Sequence, residues 1–323
     1  MHTPLPRALG HVPGVELGRG RTAVVYRARD PLDGRPVALK IARDPAAEAA
    51  LVGEYRAAGE IAHPHLVTPD ALVRLADGRM GLVLPLVDGV RLADAALDPS
   101  AALAVALGIC RAVAVLHGRG RLHGDLSPDN VLVEGGEARV IDVGAHGRIG
   151  TPGFIAPEVL AGEALETRGE LYALGCLLYA LLVGRPVFDV PVARLVHHHL
   201  HVAAAVPDTL PPRVREVLTA LLAKAPEQRG TADAVLASIA TAAGRDPAEE
   251  RRDAARAMVG GRGLVGREAA RARLEAALAG LERGWGATIV ITGPAGSGRR
   301  ALGRWLVAAA SQRRRVLVLP WPG

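Results

Sequence analysis

Three short stretches of the sequence carry residue types and spacings that suit phosphate chemistry. In HGDLSPDN, Asp125 and Asn130 stand five residues apart, which is the spacing of a phosphotransfer loop. In LGRGRTAVVY, a glycine-containing turn lies between two strand-like runs, and such a turn lets backbone amides approach a phosphate closely. Taken alone, this turn fits an ordinary hairpin better than a phosphate-binding loop. The third stretch, VALK, ends on Lys40.

Lysine usage sets Lys40 apart from the other basic residues. Of the 39 basic residues in the chain, only Lys40 and Lys224 are lysines. A lysine within a strand of such an arginine-rich sequence indicates that a compact ammonium group is needed there. The alternative is a strand-end lysine whose ammonium group simply reaches solvent.

The surrounding pattern predicts a small β-rich unit, up to about residue 88, followed by a helix-rich unit. Residues 11–43 favour strands. Residues 46–61 favour a helix that ends at the His-Pro of IAHPHLV. Two more strands are predicted at ALVRLA and GLVLPLV. A long apolar helix follows from residue 99. The later elements are short strands at 131–133 and 139–141 and helices near 168–184, 189–201, 212–223 and 231–242.

Charge and cysteine usage narrow the functional class. The net charge is +6, but residues 1–245 are nearly neutral and the basic excess lies in 246–323, which argues against nucleic-acid binding by the main domain. Cys110 and Cys176 lie in apolar helical stretches without metal-ligand spacing, which is typical of reduced thiols in a cytoplasmic protein. The longest apolar run, LYALGCLLYALLVG, is too short to span a bilayer, so we expect no membrane association.

The ordered motifs identify the chain as similar to eukaryotic-type (Hanks-type) bacterial Ser/Thr protein kinases. The resemblance covers residues 11–242 and rests on LGRGRTAVVY, VALK, IAHPHLV, LVLPLVDG, HGDLSPDN, DVG, GTPGFIAPE, ELYALGCLLYALLVGRPVF and LLAKAPEQR. It implies an α+β, bilobal kinase fold with a β-rich N-lobe (11–88) and a helical C-lobe (89–242). ATP, Mg²⁺ and a protein substrate are implied with it.

The resemblance assigns roles to individual residues. Lys40 would contact the α- and β-phosphates of ATP, and Glu54 would pair with Lys40, with Glu48 and Glu60 as alternatives that fit the spacing less well. Leu84 would be the gatekeeper, with Pro85 to Val87 as the hinge. The residues expected to bind the nucleotide are Leu17, Gly18, Gly20, Val25, Ala38, Lys40, Leu84, Pro85, Val87, Leu132 and Asp142.

The catalytic roles fall on the second unit. Asp125 would be the base that orients the substrate hydroxyl, and Asn130 with Asp142 would hold Mg²⁺, whose preferred ligands are such oxygen atoms. The resemblance also predicts an ion pair between Glu158 and Arg229 that anchors the activation segment. Thr151 in GTPGF matches the threonine that marks Ser/Thr specificity.

Several positions depart from the family pattern. Gly124 replaces an arginine that normally binds a phosphorylated activation loop. The segment AHGRIG before Thr151 has no hydroxyl side chain that could be phosphorylated. We therefore expect activity that depends little on phosphorylation of this loop. Ser127 replaces a lysine that steadies the transferred phosphate, at an expected loss of about 10²-fold in rate. The milder departures are Val143 for the DFG phenylalanine, Ala23 for the third glycine and Glu170 for the aspartate at the start of helix F.

The C-terminal region resembles the start of a STAND-type, AAA-like ATPase domain. After a linker or bridging helix at 243–263, residues 264–323 contain LVGRE, a predicted helix, a predicted strand ATIVITG, the turn GPAGSGRR, a second predicted helix and a last strand, RRVLVLP. Gly293 and Gly298 keep the P-loop spacing, but Arg299 and Arg300 replace its lysine and hydroxyl residues. We expect weak nucleotide binding or a structural role here, and contact with a regulatory partner.

Two alternatives to an active protein kinase remain. A pseudokinase, which binds ATP with little or no phosphotransfer, is indicated by Ser127, Val143 and Ala23. A small-molecule kinase is indicated by the HGDLSPDN loop, but GTPGFIAPE and the helices after it are typical of a lobe that binds protein substrates. The run HHHLH (197–201) invites a metal site, yet three consecutive histidines cannot share one helical face.

Overall fold

A computed structural model of the chain describes residues 14–30, 34–58, 61–75, 77–144, 150–259, 267–283 and 289–294, with single positions between 298 and 309. The chain divides into two units. The first comprises Met1–Glu60, Thr68–Leu86 and Arg262–Gly323, and the second comprises Ile61–Val67 and Val87–Gly261.

The first unit is built on a five-stranded antiparallel sheet. Its strand order is β1-β2-β3-β5-β4. Alternate residues point to opposite faces, and one face holds a buried apolar cluster that includes Val24, Leu39, Ile41 and Val83. The strands are β1 (Glu16–Arg19), β2 (Ala23–Arg29), β3 (Pro36–Ala42), β4 (Ala71–Arg74) and β5 (Met80–Pro85).

Helix α1 (Pro45–Ala58) follows β3, close to the predicted 46–61. Asp44 accepts a hydrogen bond from the Ala47 amide at 2.8 Å, and Pro45 occupies the first helical position, where its missing N–H is not needed. The alanine-rich sequence favours the helix, whose buried side includes Leu51 and Glu54. The helix therefore presents a carboxylate among its buried residues.

The second unit is mainly helical, with a three-stranded sheet of order β6-β7-β8. Its long helix α2 (Pro99–Gly118) begins at Asp98, whose side chain accepts bonds from the amides of Ser100 and Ala101. The other elements are β6 (Val90–Arg91), β7 (Val131–Glu134), β8 (Glu137–Val140), α3 (Pro157–Leu160), α4 (Thr167–Val183), α5 (Val192–His201), α6 (Pro212–Leu221), α7 (Ala232–Ala242) and α8 (Pro247–Val259).

Helices α2 and α4 form the centre of this unit. Among the described residues, α2 is the one helix long and apolar enough to cross a membrane, but 67% of its most apolar window is buried inside the fold. It therefore has the properties of a core helix. Cys110 on α2 and Cys176 on α4 are free and buried, and burial raises the pKa of each thiol to about 12, so both stay protonated at neutral pH.

The region after residue 243 corrects one prediction. Of the alternatives for 243–263, a linker or a bridging helix, the structure shows a helix, α8, which packs against α2 and α7. Helix α9 (Glu268–Glu282) forms as predicted. The predicted strand ATIVITG is not formed in its described residues, 289–293, because a strand needs a partner for its backbone groups and the described residues provide none. The predicted strand RRVLVLP lies outside the described residues.

Candidate active site

The first unit holds a buried ion pair between Lys40 on β3 and Glu54 on α1. The Lys40 Nζ atom lies 2.7 Å from Glu54 Oε2, and the side chains are 11% and 8% exposed. Glu48 is engaged elsewhere, since it accepts a hydrogen bond from the Met80 amide at 3.2 Å. Glu60 lies outside the described residues. Of the two described candidates, Glu54 is therefore the partner of Lys40.

Strand register gathers the predicted nucleotide residues of this unit on one sheet face. Val25 lies opposite Lys40, and Ala38 lies opposite Leu84, so all four side chains point away from the apolar cluster. Pro85 ends β5, and Leu17 and Gly18 lie in β1. Val87, Leu132 and Asp142 belong to the second unit.

The turn that contains Gly18 and Gly20 is closed by a backbone hydrogen bond to Ala23. The Gly20 amide donates to the Ala23 carbonyl at 2.9 Å, and Ala23 itself is a buried residue of β2. Ala23 has no positive φ, so the missing third glycine imposes no backbone strain at this position.

In the second unit, Asp125 is held from two sides. Its Oδ1 atom accepts hydrogen bonds from the Thr151 amide at 2.9 Å and the Thr151 hydroxyl at 2.8 Å. Asn130 donates from Nδ2 to the Asp125 carbonyl at 2.7 Å. The Asn130 amide nitrogen is thereby used inside the loop, which leaves its Oδ1 as the atom suited to a hard cation.

Asp142 has a strained backbone. Its φ of 61° is positive, and among the described residues it is the one non-glycine residue in that region. The Ile141 amide donates to the Asn130 carbonyl at 3.0 Å, which ties the two predicted magnesium ligands together through the backbone. His123 supports the same segment, since its Nε2 lies 2.8 Å from the Ile141 carbonyl. Val143 is buried at 1% exposure.

Gly124 and Glu170 form a buried support beneath the catalytic loop. The Gly124 amide donates to Glu170 Oε1 at 2.7 Å, and His117 Nε2 lies 2.7 Å from Glu170 Oε2. Burial alone would raise the pKa of Glu170, but the hydrogen bonds from His117 and Gly124 and the nearby histidines outweigh it and lower that pKa. Gly124 has a φ of 89°, a conformation that glycine adopts without steric penalty.

Ser127 contrasts with these residues. Its side chain is buried, at 1% exposure, and its hydroxyl has no hydrogen-bond partner among the described residues. The hydroxyl is thus neither charged nor exposed. It does not replace the lysine that the family has at this position.

The ion pair that the resemblance implies between Glu158 and Arg229 is formed. Arg229 donates to both carboxylate oxygens of Glu158, at 2.6 and 2.9 Å, and its side chain is fully buried. It also donates to the carbonyls of Ala223, Lys224 and Arg168. This paired geometry, with the other donors satisfied, is what a buried arginine requires.

The histidine run forms part of α5 and packs against aromatic residues. His199 is buried, with Nδ1 2.9 Å from the Tyr172 hydroxyl, and burial lowers its pKa to about 4. Lys224 donates to the carbonyls of His198 and His199 at 3.2 and 2.7 Å, at the end of α5 where a cation is favoured. Within the described part of the chain, no group of three or more side chains is arranged to hold a metal ion.

A comparison with known protein families now decides the class. The family model described as protein kinase domain matches residues 12–239. The chain belongs to the protein kinase family. Its sheet-rich and helical units fit the N-lobe and C-lobe of the bilobal kinase fold.

Similar curated proteins are bacterial kinases. A probable serine/threonine-protein kinase of Streptomyces coelicolor is 33% identical over 68% of this chain and 37% of its own length. The DNA damage-responsive serine/threonine-protein kinase RqkA of Deinococcus radiodurans is 34% identical over 71% of this chain and 39% of its own length. The serine/threonine-protein kinase PknE of Mycobacterium tuberculosis is 30% identical over 66% of this chain and 42% of its own length. The chain therefore spans less than half the length of these relatives.

Sequence reasoning missed two histidines of the kinase domain, His117 and His123. Both contact groups next to the catalytic loop. The available signal was their position, because His117 ends a long apolar helix and His123 directly precedes Gly124. A lone polar residue at the end of a buried helix often satisfies a buried partner.

Proposed function

We propose that this chain is a bacterial Ser/Thr protein kinase that transfers the γ-phosphate of ATP to protein hydroxyls. The observation that carries the proposal is the arrangement at Asp125, whose Oδ1 accepts both hydrogen bonds of Thr151 while Asn130 braces its backbone. A carboxylate fixed in this way is suited to orient a substrate hydroxyl and accept its proton.

The remaining residues fit ATP and Mg²⁺. The Lys40 ammonium, held by Glu54, is a compact cation suited to the α- and β-phosphates. Asn130 and Asp142 offer the oxygen ligands that Mg²⁺ prefers. When bound, the cation neutralises the charge of the phosphates, and the protein's part is to orient the acceptor hydroxyl and take its proton.

Phosphotransfer from γ-labelled ATP to a generic acceptor protein tests the proposal. We expect Asp125→Asn and Lys40→Met to reduce the transfer by at least about 10²-fold. Asp129→Asn is a matched control, because Asp129 lies in the same loop and its side chain is 63% exposed. Label transfer that survives in both site variants would contradict the assignment.

The pseudokinase is the second candidate, and the observation that favours it is the buried hydroxyl of Ser127, which has no partner among the described residues. This reading predicts that Mg²⁺ and ATP raise the melting temperature, with no label transferred by the wild-type chain. ATP-dependent stabilisation that is lost in Lys40→Met would place binding at the proposed site.

We further propose that activity does not depend on activation-loop phosphorylation. Gly124 replaces the arginine that binds such a phosphate, and the segment before Thr151 has no hydroxyl side chain. Treatment with a phosphatase is expected to leave the initial rate unchanged. A loss of rate after this treatment would contradict the idea.

For the C-terminal region we propose a degenerate, AAA-like P-loop segment that contacts a regulatory partner. The spacing of Gly293 and Gly298 supports it, while Arg299 and Arg300 argue against hydrolysis. A cytoplasmic location is part of the same proposal and is supported by two free, buried cysteines. Nucleotide binding that persists in Lys40→Met but is lost in a Gly298→Val variant would locate a second site here.

A further inference from the structure

Helix α8 lies beyond the matched kinase region, yet it belongs to the same unit. The family model ends at residue 239, whereas α8 spans Pro247–Val259 and packs against α2 and α7. Its outer face carries mainly charged, exposed residues, and its buried apolar contribution is small, with Ala254 at 5% exposure. Hydrophobic burial alone therefore accounts for little of its attachment.

A partly buried ion pair provides the main polar attachment. Arg111 on α2 donates from Nε and from one terminal nitrogen to the two carboxylate oxygens of Glu250, each at 2.6 Å. Glu250 is only 4% exposed, and the bond from Arg111 is the main reason its pKa lies below the usual range. Arg119 adds a hydrogen bond to the Ala257 carbonyl at 3.0 Å. Such a fork-shaped pair fixes orientation as well as position.

Arg111 also contacts the loop that contains the HPHLV motif. Its other terminal nitrogen lies 3.3 Å from Nε2 of His65, which is 5% exposed. Because arginine is always a donor, Nε2 must accept, and the ring proton then resides on Nδ1, 2.9 Å from the Ala138 carbonyl. Burial lowers the pKa of His65, in agreement with a neutral ring.

His65 in turn fixes strand β8. The His65 carbonyl accepts from the Val140 amide at 2.8 Å, and the Val67 amide donates to the Val140 carbonyl at 2.8 Å. Val140 ends β8, two residues before Asp142. A continuous set of hydrogen bonds therefore runs from Glu250 through Arg111 and His65 to the strand that leads into the proposed magnesium site.

We infer that Glu250 is a positioning residue for the phosphotransfer site and acts through Arg111 and His65. The inference rests on the proposed kinase function for its catalytic consequence, but its structural part is measurable without activity. Glu250 holds α8 and, with it, keeps the loop 61–67 and the end of β8 in place.

Hydrogen-deuterium exchange on the full chain tests the structural part. We expect Glu250→Arg to speed exchange in 247–259 by at least about tenfold, because it places a second cation against the partly buried Arg111, and to speed exchange in 61–67 as well. Glu249→Arg is the matched control, since it removes the neighbouring, exposed carboxylate from the same first turn. It is expected to leave 61–67 unchanged.

A double variant that exchanges the two charges distinguishes the Glu250–Arg111 ion pair from the Arg111–His65 hydrogen bond. In Arg111→Glu with Glu250→Arg, the ion pair is restored in reverse, so α8 should regain slow exchange. Glutamate at 111 offers no donor to His65 Nε2, so the loop 61–67 should stay fast. Exchange in 61–67 that is unaffected by Glu250→Arg would overturn the inference, as would an unchanged α8.

Kinetics test the catalytic part. Glu250→Arg is expected to lower kcat several-fold, with the KM for the acceptor protein within about twofold of the wild-type value, since Glu250 contacts no substrate. An unchanged kcat beside a loosened loop would overturn the positioning role. If the wild-type chain transfers no phosphate, the proposed function fails, whereas the exchange data still decide whether Glu250 holds the loop.

Discussion

The two halves of the catalytic loop differ in how completely their polar groups are satisfied. In the first half, the Gly124 amide, the Asp125 carboxylate and the His123 ring all have partners at 2.9 Å or less. In the second half, the Ser127 hydroxyl is buried and has no partner among the described residues. Each half contains a residue that differs from the family pattern, Gly124 in the first and Ser127 in the second. Only Gly124 has its polar group bonded to a partner among the described residues.

This difference distinguishes the two departures in structural terms. Gly124 adopts a φ of 89° and is bonded to Glu170, so the loop is supported without a phosphate-binding arginine. Ser127 has a neutral side chain where the resemblance implies a lysine, and its buried hydroxyl has no partner among the described residues. Under the proposed function, the first half is expected to support activity and the second half to limit its rate.

Removal of the Glu170 carboxylate should have the largest effect. Glu170→Ala leaves the Gly124 amide and the His117 ring without their partner in a buried site, so we expect a loss of about 3 to 5 kcal/mol in the free energy of unfolding. Urea denaturation measures it. Glu166→Ala is the control, because Glu166 precedes the same helix and is exposed rather than buried. Equal losses in the two variants would refute the supporting role.

The same carboxylate predicts a pH dependence. Its pKa is lowered from 4.5 in the folded state, so its ionised form adds stability that is fully present above about pH 4.5 and is lost as the pH falls through the depressed value. The difference in unfolding free energy between wild type and Glu170→Gln should shrink below pH 4.5. A difference that grows on acidification would show that the folded-state pKa is raised instead.

Restoring the family lysine tests the other half of the loop. Ser127→Lys is expected to raise kcat by up to about 10²-fold, since it returns a cation to the transferred phosphate. The long stem must leave a buried position, so Ser127→Met serves as a size control without charge. A rise in rate in the methionine variant as well would attribute the effect to packing and not to charge.

Adding a side chain at Gly124 should have a moderate effect. Gly124→Ala is expected to lower the free energy of unfolding by about 1 to 2 kcal/mol, because a Cβ atom is strained at a φ of 89°. Gly124→Asn should lose less, since asparagine tolerates this region better. Thermal unfolding compares the two variants, and the reverse order would indicate that steric contact dominates over backbone strain.

Ser127→Ala should have the smallest effect. Removing a buried hydroxyl without a partner is expected to leave the free energy of unfolding unchanged or to raise it by up to about 1 kcal/mol, with no change in kcat. Chemical denaturation and initial rates check both expectations. A clear loss of stability would reveal a hydrogen bond to the hydroxyl, for example through a buried water.

Much of the fold and of the candidate site could be predicted from short stretches of the sequence. The helices over 99–118 and 167–183 follow from apolar periodicity, and the choice of Glu54 over Glu48 follows from spacing along the chain. The Glu158–Arg229 pair was likewise accessible from its motifs. These features depend on short stretches whose chemistry is recognisable in isolation.

The remaining features depend on contacts between distant parts of the chain. In the sequence, helix α8 is only a charged segment. Its position in the fold depends on the contact of Glu250 with Arg111, which lies 139 residues away along the chain. The burial of the Ser127 hydroxyl and the positive φ of Asp142 are set by neighbouring backbone, which no local pattern encodes. The strand predicted at ATIVITG lacked a partner among the described residues, and strand propensity depends on that context.

The scarcity of lysine has a consequence for proteolysis. A lysine-specific protease has only two peptide bonds to cut in the whole chain, after Lys40 and after Lys224. Lys40 lies within the hydrogen-bonded strand β3, and the Lys224 carbonyl accepts from Arg229 at 3.0 Å, so each cut requires local opening. One site reports on the first unit and the other on the second. The order in which the fragments appear would show which unit opens first.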